Sequence, residues 1–392
     1  MNIAILIPGL GGGGAERASQ ILGNYFVSNG NQVYYFLLDE KIKQDYLVQG
    51  EIVRTNIKSC MSEDIKDIQR FLWLLRSSLQ IRRLKHQYKI DAAISFMEES
   101  NYINVLSKGR EKVITRVCTI LSQRKDISGF LYKKRIIHFF YSMADQVVVM
   151  SNYALKDMCC YYGVPKKKLI KIPNAVADGN IEKTDNEWEY GTKALVCMGR
   201  LEAVKQQDRI IRAFSYVASK EEQARLIILG KGPNLNYLKR LCARYRIEDK
   251  VKFIGFTEQT TYYLQNARAF VMASRVEGFP NSMIEAMNCG VPVITTDSPG
   301  ACGEIVGKSG AIEDVNSILM CKYGILVPVM PDAKLNPELP LAEQEKLLGR
   351  AMMKVLTEDE IYDEYRKRSL KRAKMYSIEK IGKKWNYVLE NK

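Results

Sequence analysis

An α/β fold with two domains is predicted by three features of this 392-residue sequence. The first is a strand-length apolar run at residues 2–8, which leads into a glycine loop and then a helical segment at 15–29. The second is the same order of strand, loop and helix at residues 194–214. The third is length, because a chain of this size can bury two separate cores. Since strands that alternate with helices form parallel sheets, each domain is expected to contain one.

Composition locates the boundary between the two domains at residues 177–193. This segment is polar, acidic and loosely patterned, and the apolar run ALVCMG follows it directly. We therefore predict a first domain at 1–176, a linker at 177–193 and a second domain at 194–370. The remaining segment, 371–392, is basic and amphipathic and is predicted to form a terminal helix.

The first half alternates between strand-like and helix-like segments. Further strands are predicted at 32–38, 91–96, 112–117 and 144–151. A helix is predicted at 65–85, where basic residues surround apolar side chains at helical spacing, namely Ile68, Phe71, Leu72, Leu75 and Leu79. Two interpretations of this helix stay open: an ordinary domain surface, or an interfacial helix that docks on anionic lipid.

Bulk composition argues against several classes of protein. No apolar run approaches the ~20 residues that a membrane-spanning helix needs, and the apolar start lacks the basic region of a signal peptide. The nine cysteines have no C-x-x-C spacing, which indicates reduced thiols in a cytoplasmic protein. The two histidines, His86 and His138, have no partner at metal-ligand spacing, so no metal site is predicted.

The net charge of +15 is concentrated in the first half of the chain. Residues 1–175 contain 26 Lys and Arg against 15 Asp and Glu. A basic half of this kind indicates an anionic partner, such as nucleic acid, an anionic membrane or an anionic substrate. Because no nucleic-acid-binding motif accompanies the charge, no nucleic-acid partner is predicted.

The most informative stretch is SRVEGFPNSMIEAMNCGVPVI at 274–294, in which seven residues separate Glu277 from Glu285. It is predicted to form a loop, a helix that begins at Pro280 or Asn281, and a buried strand at 291–295. The backbone N–H groups at the start of such a helix suit an anionic ligand. Both carboxylates can face one ligand, and carboxylates accept hydrogen bonds from sugar and ribose hydroxyls.

This stretch resembles the E-x7-E motif of retaining glycosyltransferases with the GT-B fold, in particular the group 1 or family 4 class. Further segments resemble the same family in the same order along the chain: GGGGAERASQ (11–20), KIPNAV (171–176), MGRLEAVKQQDRIIRAF (198–214), LGKGPNLNYL (229–238), FIGFTEQTTYYLQNARAFVMAS (253–274) and TDSPGACGEIV (296–306). The G-G-A-E-R opening is similar to members that build capsule, O-antigen or other lipid-linked oligosaccharides. One departure concerns the catalytic histidine of the family's first domain, because the corresponding segment, TRVCTILSQRK (115–125), contains no histidine.

The resemblance implies two Rossmann-like domains that face a central cleft, with the acceptor bound by the first and a nucleotide-sugar donor by the second. It also implies that the last helix packs back on the first domain. The residues that it marks as catalytic are Arg200, Lys205 and Glu277. Those that it marks for donor binding are Gly12, Gly13, Gly14, Gly230, Gly232, Phe256, Gly278, Phe279, Pro280, Asn281 and Glu285, with Glu16 and Arg17 on the acceptor side.

The implied reaction is transfer of a sugar, with retention, from a UDP-sugar to a lipid-linked or polysaccharide acceptor in cell-surface glycan biosynthesis. No D-x-D motif is present, so Arg200 and Lys205 are expected to stabilise the leaving diphosphate without a metal or other cofactor. Glu277 would then hold sugar hydroxyls, and Glu285 would hold the ribose. Such acceptors lie at the inner face of the cell membrane, so a cytoplasmic, peripheral protein that contacts anionic lipid is expected.

Two alternatives remain at this point. Gly9, Gly11 and Gly14 satisfy G-x-G-x-x-G after a strand, and Asp39 ends the next strand, as in Rossmann oxidoreductases that bind a nicotinamide or flavin dinucleotide. The other alternative is a nucleotide-sugar-binding module without transfer activity. That alternative would need a damaged donor site, whereas all four charged residues predicted for it are present.

Overall fold

The structure is a computed structural model that describes residues 1–39, 42, 44–55, 57, 67–124, 129–176, 189–308, 315–331 and 335–391. The chain divides into two compact units. The first contains Met1–Ala177 and Ser377–Lys392, and the second contains Asp178–Tyr376. Each unit is Rossmann-like, with helices around one largely parallel sheet, which confirms the predicted α/β class.

In the described residues of the first unit, the sheet has seven strands, and all of their pairings are parallel: β1 (Asn2–Ile7), β2 (Gln32–Leu37), β3 (Glu51–Arg54), β4 (Ala92–Phe96), β5 (Lys112–Arg116), β6 (Gln146–Val149) and β7 (Leu169–Lys171). Its order is β3-β2-β1-β4-β5-β6-β7, so the direction of winding reverses between β1 and β4. The helices between these strands are α1 (Gly14–Ser28), α2 (Asp67–Gln87), α3 (Glu98–Leu106), α4 (Lys134–Met143) and α5 (Asn152–Lys156). The central strands are buried along their length, which explains their continuous apolar runs.

The sheet of the second unit repeats this plan with β8 (Ala194–Met198), β9 (Arg225–Leu229), β10 (Val251–Gly255), β11 (Ala269–Met272), β12 (Val293–Thr296), β13 (Leu319–Met320) and β14 (Ile325–Val327). Its order is β10-β9-β8-β11-β12-β14-β13, and only the β13–β14 pair is antiparallel among the described strands. The winding reverses between β8 and β11. The helices are α6 (Gln207–Ala218), α7 (Leu235–Tyr245), α8 (Thr260–Gln265), α9 (Asn281–Asn288), α10 (Cys302–Val306), α11 (Glu343–Thr357) and α12 (Asp359–Ala373).

The last helix, α13 (Ile378–Glu390), belongs to the first unit and packs on α1. A Cβ at Gly382 would collide with the Tyr25 ring, so the two helices approach closely at this point. The predicted terminal segment began at 371, whereas the second unit continues to Tyr376. The reason is that Arg372 donates hydrogen bonds to the carbonyl oxygens of Glu304 and Ile305, which fastens the end of α12 to the second unit. Residues 177–188 of the predicted linker lie outside the described residues.

A buried arginine connects α13 to the first sheet. Arg116 ends β5, and its guanidinium lies over the rings of Phe96 and Trp385, at 5.1 and 5.7 Å from their centroids. It also donates a hydrogen bond to the Oδ1 atom of Asn174. Burial lowers the pKa of Arg116 to about 10. Because the aromatic faces stabilise a cation, Trp385 fixes α13 against the carboxyl end of β5.

Candidate active site

The point where the second sheet reverses its winding brings together two of the residues predicted to be catalytic. In open α/β sheets, ligands bind outside the carboxyl ends of the strands at such a reversal. Lys205 follows β8, Glu277 follows β11, and the lysine Nζ lies 2.6 Å from the glutamate Oε1. Their side chains are only 25% and 9% exposed. The result is a largely buried ion pair at the position where this kind of sheet binds ligands.

Backbone contacts hold the segment that carries Glu277. The Arg275 N–H donates to the Val204 carbonyl oxygen at 2.8 Å, which links this segment to the loop of Lys205. The Glu277 N–H donates to the Pro299 carbonyl oxygen at 3.0 Å. Gly300 adopts φ +127°, and a Cβ there would collide with the Glu277 carbonyl oxygen. The loops after β8, β11 and β12 therefore fix the carboxylate together.

Arg200 lies at the same end of the sheet but outside the buried pair. It follows Gly199 at the end of β8, and its carbonyl oxygen accepts a hydrogen bond from Gln207 Nε2 at 2.8 Å. Its guanidinium pairs with Glu202 at 2.9 Å, and the Arg200 side chain is 65% exposed. Because an exposed ion pair contributes little stability, an anionic ligand can replace Glu202 at small cost.

The glycine loop after β9 packs directly against the loop that carries Arg200. A Cβ at Gly230 would collide with the Gly199 carbonyl oxygen, and a Cβ at Gly232 would lie 2.5 Å from the Leu201 carbonyl oxygen. The close approach of the two backbones thus accounts for both glycines. The contact of Gly230 and Gly232 with a donor stays a prediction. The same holds for Phe256, which is 40% exposed and whose ring centroid lies 4.9 Å from Lys231 Nζ.

The helix predicted at Pro280 or Asn281 is α9, which begins at Asn281. Gly278 and Pro280 are buried, and Pro280 accepts a hydrogen bond from the Met283 N–H at 3.1 Å. Phe279 is 8% exposed and packs edge-on against Tyr376, with 5.5 Å between the ring centroids. Its side chain therefore supports the loop within the second unit. Asn281 in the first turn and Glu285 in the second are both half-buried.

Three residues near the Lys205–Glu277 pair were not among the site residues predicted from the sequence. Cys302 is fully buried, and burial together with the nearby charge of Glu277 raises the pKa of its thiol to about 12. Ser274 Oγ and Gln206 Oε1 are buried and have no hydrogen-bond partner in the described part of the chain. Ser274 could have been found, because it is the first polar residue after the apolar strand β11. Gln206 could not, since its left-handed backbone (φ +49°) has no signature in the sequence.

The predicted residues of the glycine loop after β1 all belong to the first unit. The loop lies between β1 and α1, and the Gly13 N–H donates to the Gly11 carbonyl oxygen at 2.8 Å. Gly12 and Gly14 are exposed, whereas Glu16 is half-buried, with its carboxylate next to Gly13. Arg17 donates a hydrogen bond to Gln20 Oε1 at 2.7 Å and lies 5.5 Å from the centroid of the Tyr46 ring. Arg17 is thus engaged within its own unit.

Two features are absent from the residues that the structure describes. No cluster of three or more His, Cys, Asp or Glu side chains suited to a metal ion occurs among them. No helix in the part of the chain that the structure describes is long and apolar enough to span a bilayer.

Comparison with known proteins identifies the two halves of the chain. The family model "Glycosyltransferase Family 4" matches residues 12–178, and the model "Glycosyl transferases group 1" matches residues 180–322. An uncharacterised glycosyltransferase of Methanocaldococcus jannaschii is 29% identical over 81% of this chain and 84% of its own. The N-acetylgalactosamine-N,N'-diacetylbacillosaminyl-diphospho-undecaprenol 4-alpha-N-acetylgalactosaminyltransferase of Campylobacter jejuni is 26% identical over 97% of both chains.

A solved structure shares the same architecture. Anabaena Alr3699/HepE, crystallised with UDP and glucose, matches 99% of both chains with a TM-score of 0.75 at 16% identity. This likeness concerns the fold, and the two family models include Gly12, Gly13 and Gly14, the Lys205–Glu277 pair and α9. The chain therefore belongs to the group 1, family 4 glycosyltransferases and has their GT-B fold of two Rossmann-like domains.

Proposed function

We propose that this protein is a retaining glycosyltransferase that moves a sugar from a UDP-sugar to a lipid-linked saccharide during assembly of a cell-surface glycan. The observation that carries the proposal is the buried Lys205–Glu277 pair at the reversal point of the second sheet. A cation and a carboxylate side by side suit a donor that presents an anionic diphosphate next to sugar hydroxyls.

The choice of donor and acceptor is supported by the proteins that resemble this chain. The Anabaena structure contains UDP and glucose, and the name of the Campylobacter relative specifies a diphospho-undecaprenol acceptor and an α linkage. UDP-hexosamines carry their sugar in the α configuration, so an α product corresponds to retention. Together these observations favour a UDP-sugar donor, a polyprenyl-diphosphate-linked acceptor and retention at the anomeric carbon.

In the proposed reaction, positive side chains stabilise the charge that develops on the leaving diphosphate. Lys205 lies beside Glu277 at the reversal point, and Arg200 can leave its exposed pair with Glu202 to bind the phosphates. Charge-stabilising groups of this kind typically contribute 10²- to 10³-fold to turnover, so we propose that no metal is required. Glu277 accepts hydrogen bonds from the donor sugar, and Glu285 accepts them from the ribose. The leaving phosphate takes the proton of the acceptor hydroxyl, and the enzyme mainly orients the pair.

The membrane part of the proposal rests on α2, which has two separate apolar faces. One face is turned into the first unit and includes the buried residues Leu74 and Ile81. The other face is turned to solvent and consists of five exposed side chains: Ile68 (74%), Phe71 (42%), Leu72 (46%), Leu75 (38%) and Leu79 (62%). A solvent-facing stripe of five large apolar side chains on one helix is typical of an interaction surface.

An anionic bilayer is the occupant that we propose for this outer face of α2. Arg76, Arg82 and Arg83 are exposed; Arg76 lies between Leu75 and Leu79, and the other two follow the apolar side chains toward the C-terminal end of the helix. Lipid acyl chains would cover the apolar side chains, while anionic headgroups would pair with the arginines. The excess of basic residues in 1–175 adds to this attraction. We therefore propose peripheral attachment to the inner face of the cell membrane, where a polyprenyl-linked acceptor lies.

The shift of the melting temperature on ligand addition tests this function against the dinucleotide alternative. We expect UDP and at least one of UDP-glucose, UDP-N-acetylglucosamine and UDP-N-acetylgalactosamine to raise the melting temperature, with no shift from NADH. The UDP-sugar with the largest shift is then incubated with undecaprenyl-diphosphate-linked saccharides, and the lipid product is resolved by mass. Stabilisation by NADH alone, without a response to any nucleotide sugar, would reverse the assignment.

A further inference from the structure

The first sheet also reverses its winding, and a buried carboxylate occupies that point. Glu98 lies two residues after β4, the strand that pairs with β1, and it begins α3. The preceding residue, Met97, has a left-handed backbone (φ +73°), which is strained for a side chain of this kind. Glu98 is 8% exposed, and its Oε1 atom has no hydrogen-bond partner among the described residues.

Groups from three strand ends meet around this carboxylate. Cys118, just after β5, donates a hydrogen bond from Sγ to the Arg116 carbonyl oxygen at 3.7 Å, and its thiol lies close enough to feel the charges of Glu98 and Glu16. Burial and these two charges raise the pKa of Cys118 to about 12, so the thiol is neutral. Arg124 acts on Glu98 through its charge, but burial is the larger effect and raises the pKa of the Glu98 carboxyl. The carboxyl end of this sheet therefore carries a desolvated acid at its centre.

Other buried acids of the described chain are fully engaged. Glu111 pairs with Lys85 at 2.8 Å, Glu345 pairs with two arginines, and Glu277 pairs with Lys205. Asp157 accepts a hydrogen bond from the Ser122 N–H at 3.3 Å. An unpaired buried carboxyl oxygen costs free energy, and native structures contain few of them. The free Oε1 of Glu98 is the kind of exception that indicates a partner supplied by a ligand.

We propose that Glu98 binds the acceptor saccharide and that its Oε1 accepts a hydrogen bond from an acceptor hydroxyl group. This inference rests on the proposed glycosyl transfer and adds an acceptor-binding residue to it. The hydrogen bond orients the attacking oxygen, while the proton still passes to the leaving phosphate.

The test compares Glu98→Leu with Glu98→Gln, and uses Glu99→Leu as the matched control. Glu99 is the next residue of α3, is half-buried, and interacts with Arg70 through its charge. Transfer is measured in detergent with the UDP-sugar that gives the largest melting-temperature shift and with the undecaprenyl-diphosphate-linked saccharide that accepts its sugar. UDP release without acceptor and the melting temperature are measured in parallel, because they report on the donor side and on folding.

Loss of one hydrogen bond to a charged group predicts a ~10- to 100-fold lower kcat/KM for the acceptor in Glu98→Leu. Glu98→Gln keeps one carbonyl oxygen and should recover part of this loss. UDP release and the melting temperature should not fall, because the buried Oε1 atom has no partner among the described residues that its removal would leave unpaired. Glu98→Leu could instead lose transfer, UDP release and thermal stability in parallel, or it could transfer normally. Either result would overturn the role of Glu98 and leave the proposed function standing. A wild type that neither binds UDP nor transfers a sugar would overturn the proposed function with it.

Discussion

The two sheets reverse their winding at equivalent points, yet the side chains at these points differ. In the second unit, the segments after β8 and β11 carry a lysine and a glutamate that pair at 2.6 Å. In the first unit, β1 and β4 end in a glycine loop and in Glu98, which has an unpaired buried oxygen in the described structure. The pair fits the diphosphate proposed for the second unit, and the unpaired oxygen fits the acceptor hydroxyl proposed for the first.

In the first unit, the overall charge and the charge at the reversal point have opposite signs. The first half of the chain has an excess of 11 basic residues, but its reversal point is acidic, with Glu16 and Glu98 near Cys118. The exposed arginines of α2 are instead on the outer face of the helix. The basic charge of the first unit therefore suits a surface that docks elsewhere, whereas the cations of the second unit suit the substrate itself.

Replacement of Lys205 by alanine should have the largest effect on turnover. The variant lacks one charge-stabilising group, and it leaves Glu277 buried without its partner, so we expect a loss of ~10²- to 10³-fold in kcat. The rate of UDP release from the best UDP-sugar measures the effect. Lys193→Ala is the control, because Lys193 forms a similar pair with Glu221 (2.5 Å) at the opposite end of β8. Equal rates in both variants would contradict the diphosphate role.

Arg200→Ala should lower turnover by ~10²-fold. Unlike Lys205→Ala, it leaves no buried carboxylate without its partner. The Arg200 side chain is 65% exposed, so the melting temperature of the free protein should stay within one or two degrees of the wild type. Stopped-flow or steady-state release of UDP provides the measurement. A normal rate in this variant would assign the entire countercharge to Lys205.

Charge reversal on α2 tests whether the basic surface and the active site are separate. The variant carries Arg76→Glu, Arg82→Glu and Arg83→Glu, and each lost cation removes roughly 1 kcal/mol of attraction to an anionic membrane. We therefore expect at least ~100-fold weaker binding to phosphatidylglycerol vesicles in sedimentation at 0.1 M salt, where screening extends over ~10 Å. The melting temperature and UDP release without a lipid acceptor should not change.

Lys166→Glu with Lys167→Glu serves as the control for α2, since both lysines are exposed and precede the edge strand β7. If this control releases the protein from vesicles as strongly as the α2 variant, the attraction arises from net charge alone. If the wild type remains in the supernatant with anionic vesicles, the outer face of α2 binds something other than a membrane.

Trp385→Ala tests how firmly α13 is held in the first unit. Removal of a buried tryptophan typically costs about 3 to 5 kcal/mol, and this one also covers the guanidinium of Arg116. Denaturant unfolding should show the loss, and UDP binding by the second unit should persist at low denaturant. Tyr387→Ala on the same helix is the control, because Tyr387 is 63% exposed. Equal stability of the two variants would show that α13 contributes little.

Sequence patterns identified both sheets, because apolar runs and loop motifs are local features. They also marked Lys205 and Glu277, which pair at 2.6 Å, while the contact of these residues with a donor stays a prediction. The outer face of α2 was also visible, since Ile68 and Leu79 belong to a stripe at helical spacing. Glu98 was not, because an acid at the start of a helix is ordinarily solvated, and burial depends on the neighbouring strands. The boundary at 371 was misplaced because Arg372 resembles a surface residue until its bonds to α10 are known.

Removal of divalent metal ions should have the smallest effect of all. Lys205 and Arg200 are proposed to supply the countercharge of the diphosphate, so activity should be the same in excess EDTA as in added Mg²⁺. The comparison of activity in EDTA and in Mg²⁺ is most sensitive in Lys205→Ala. In this variant, Mg²⁺ could restore activity only if side chains of the second unit provided oxygen ligands for the ion. Initial rates are measured with and without each ion after treatment with chelator. Complete loss in EDTA and recovery with Mg²⁺ or Mn²⁺ would mean that a metal at the second reversal point performs the role assigned here to Lys205.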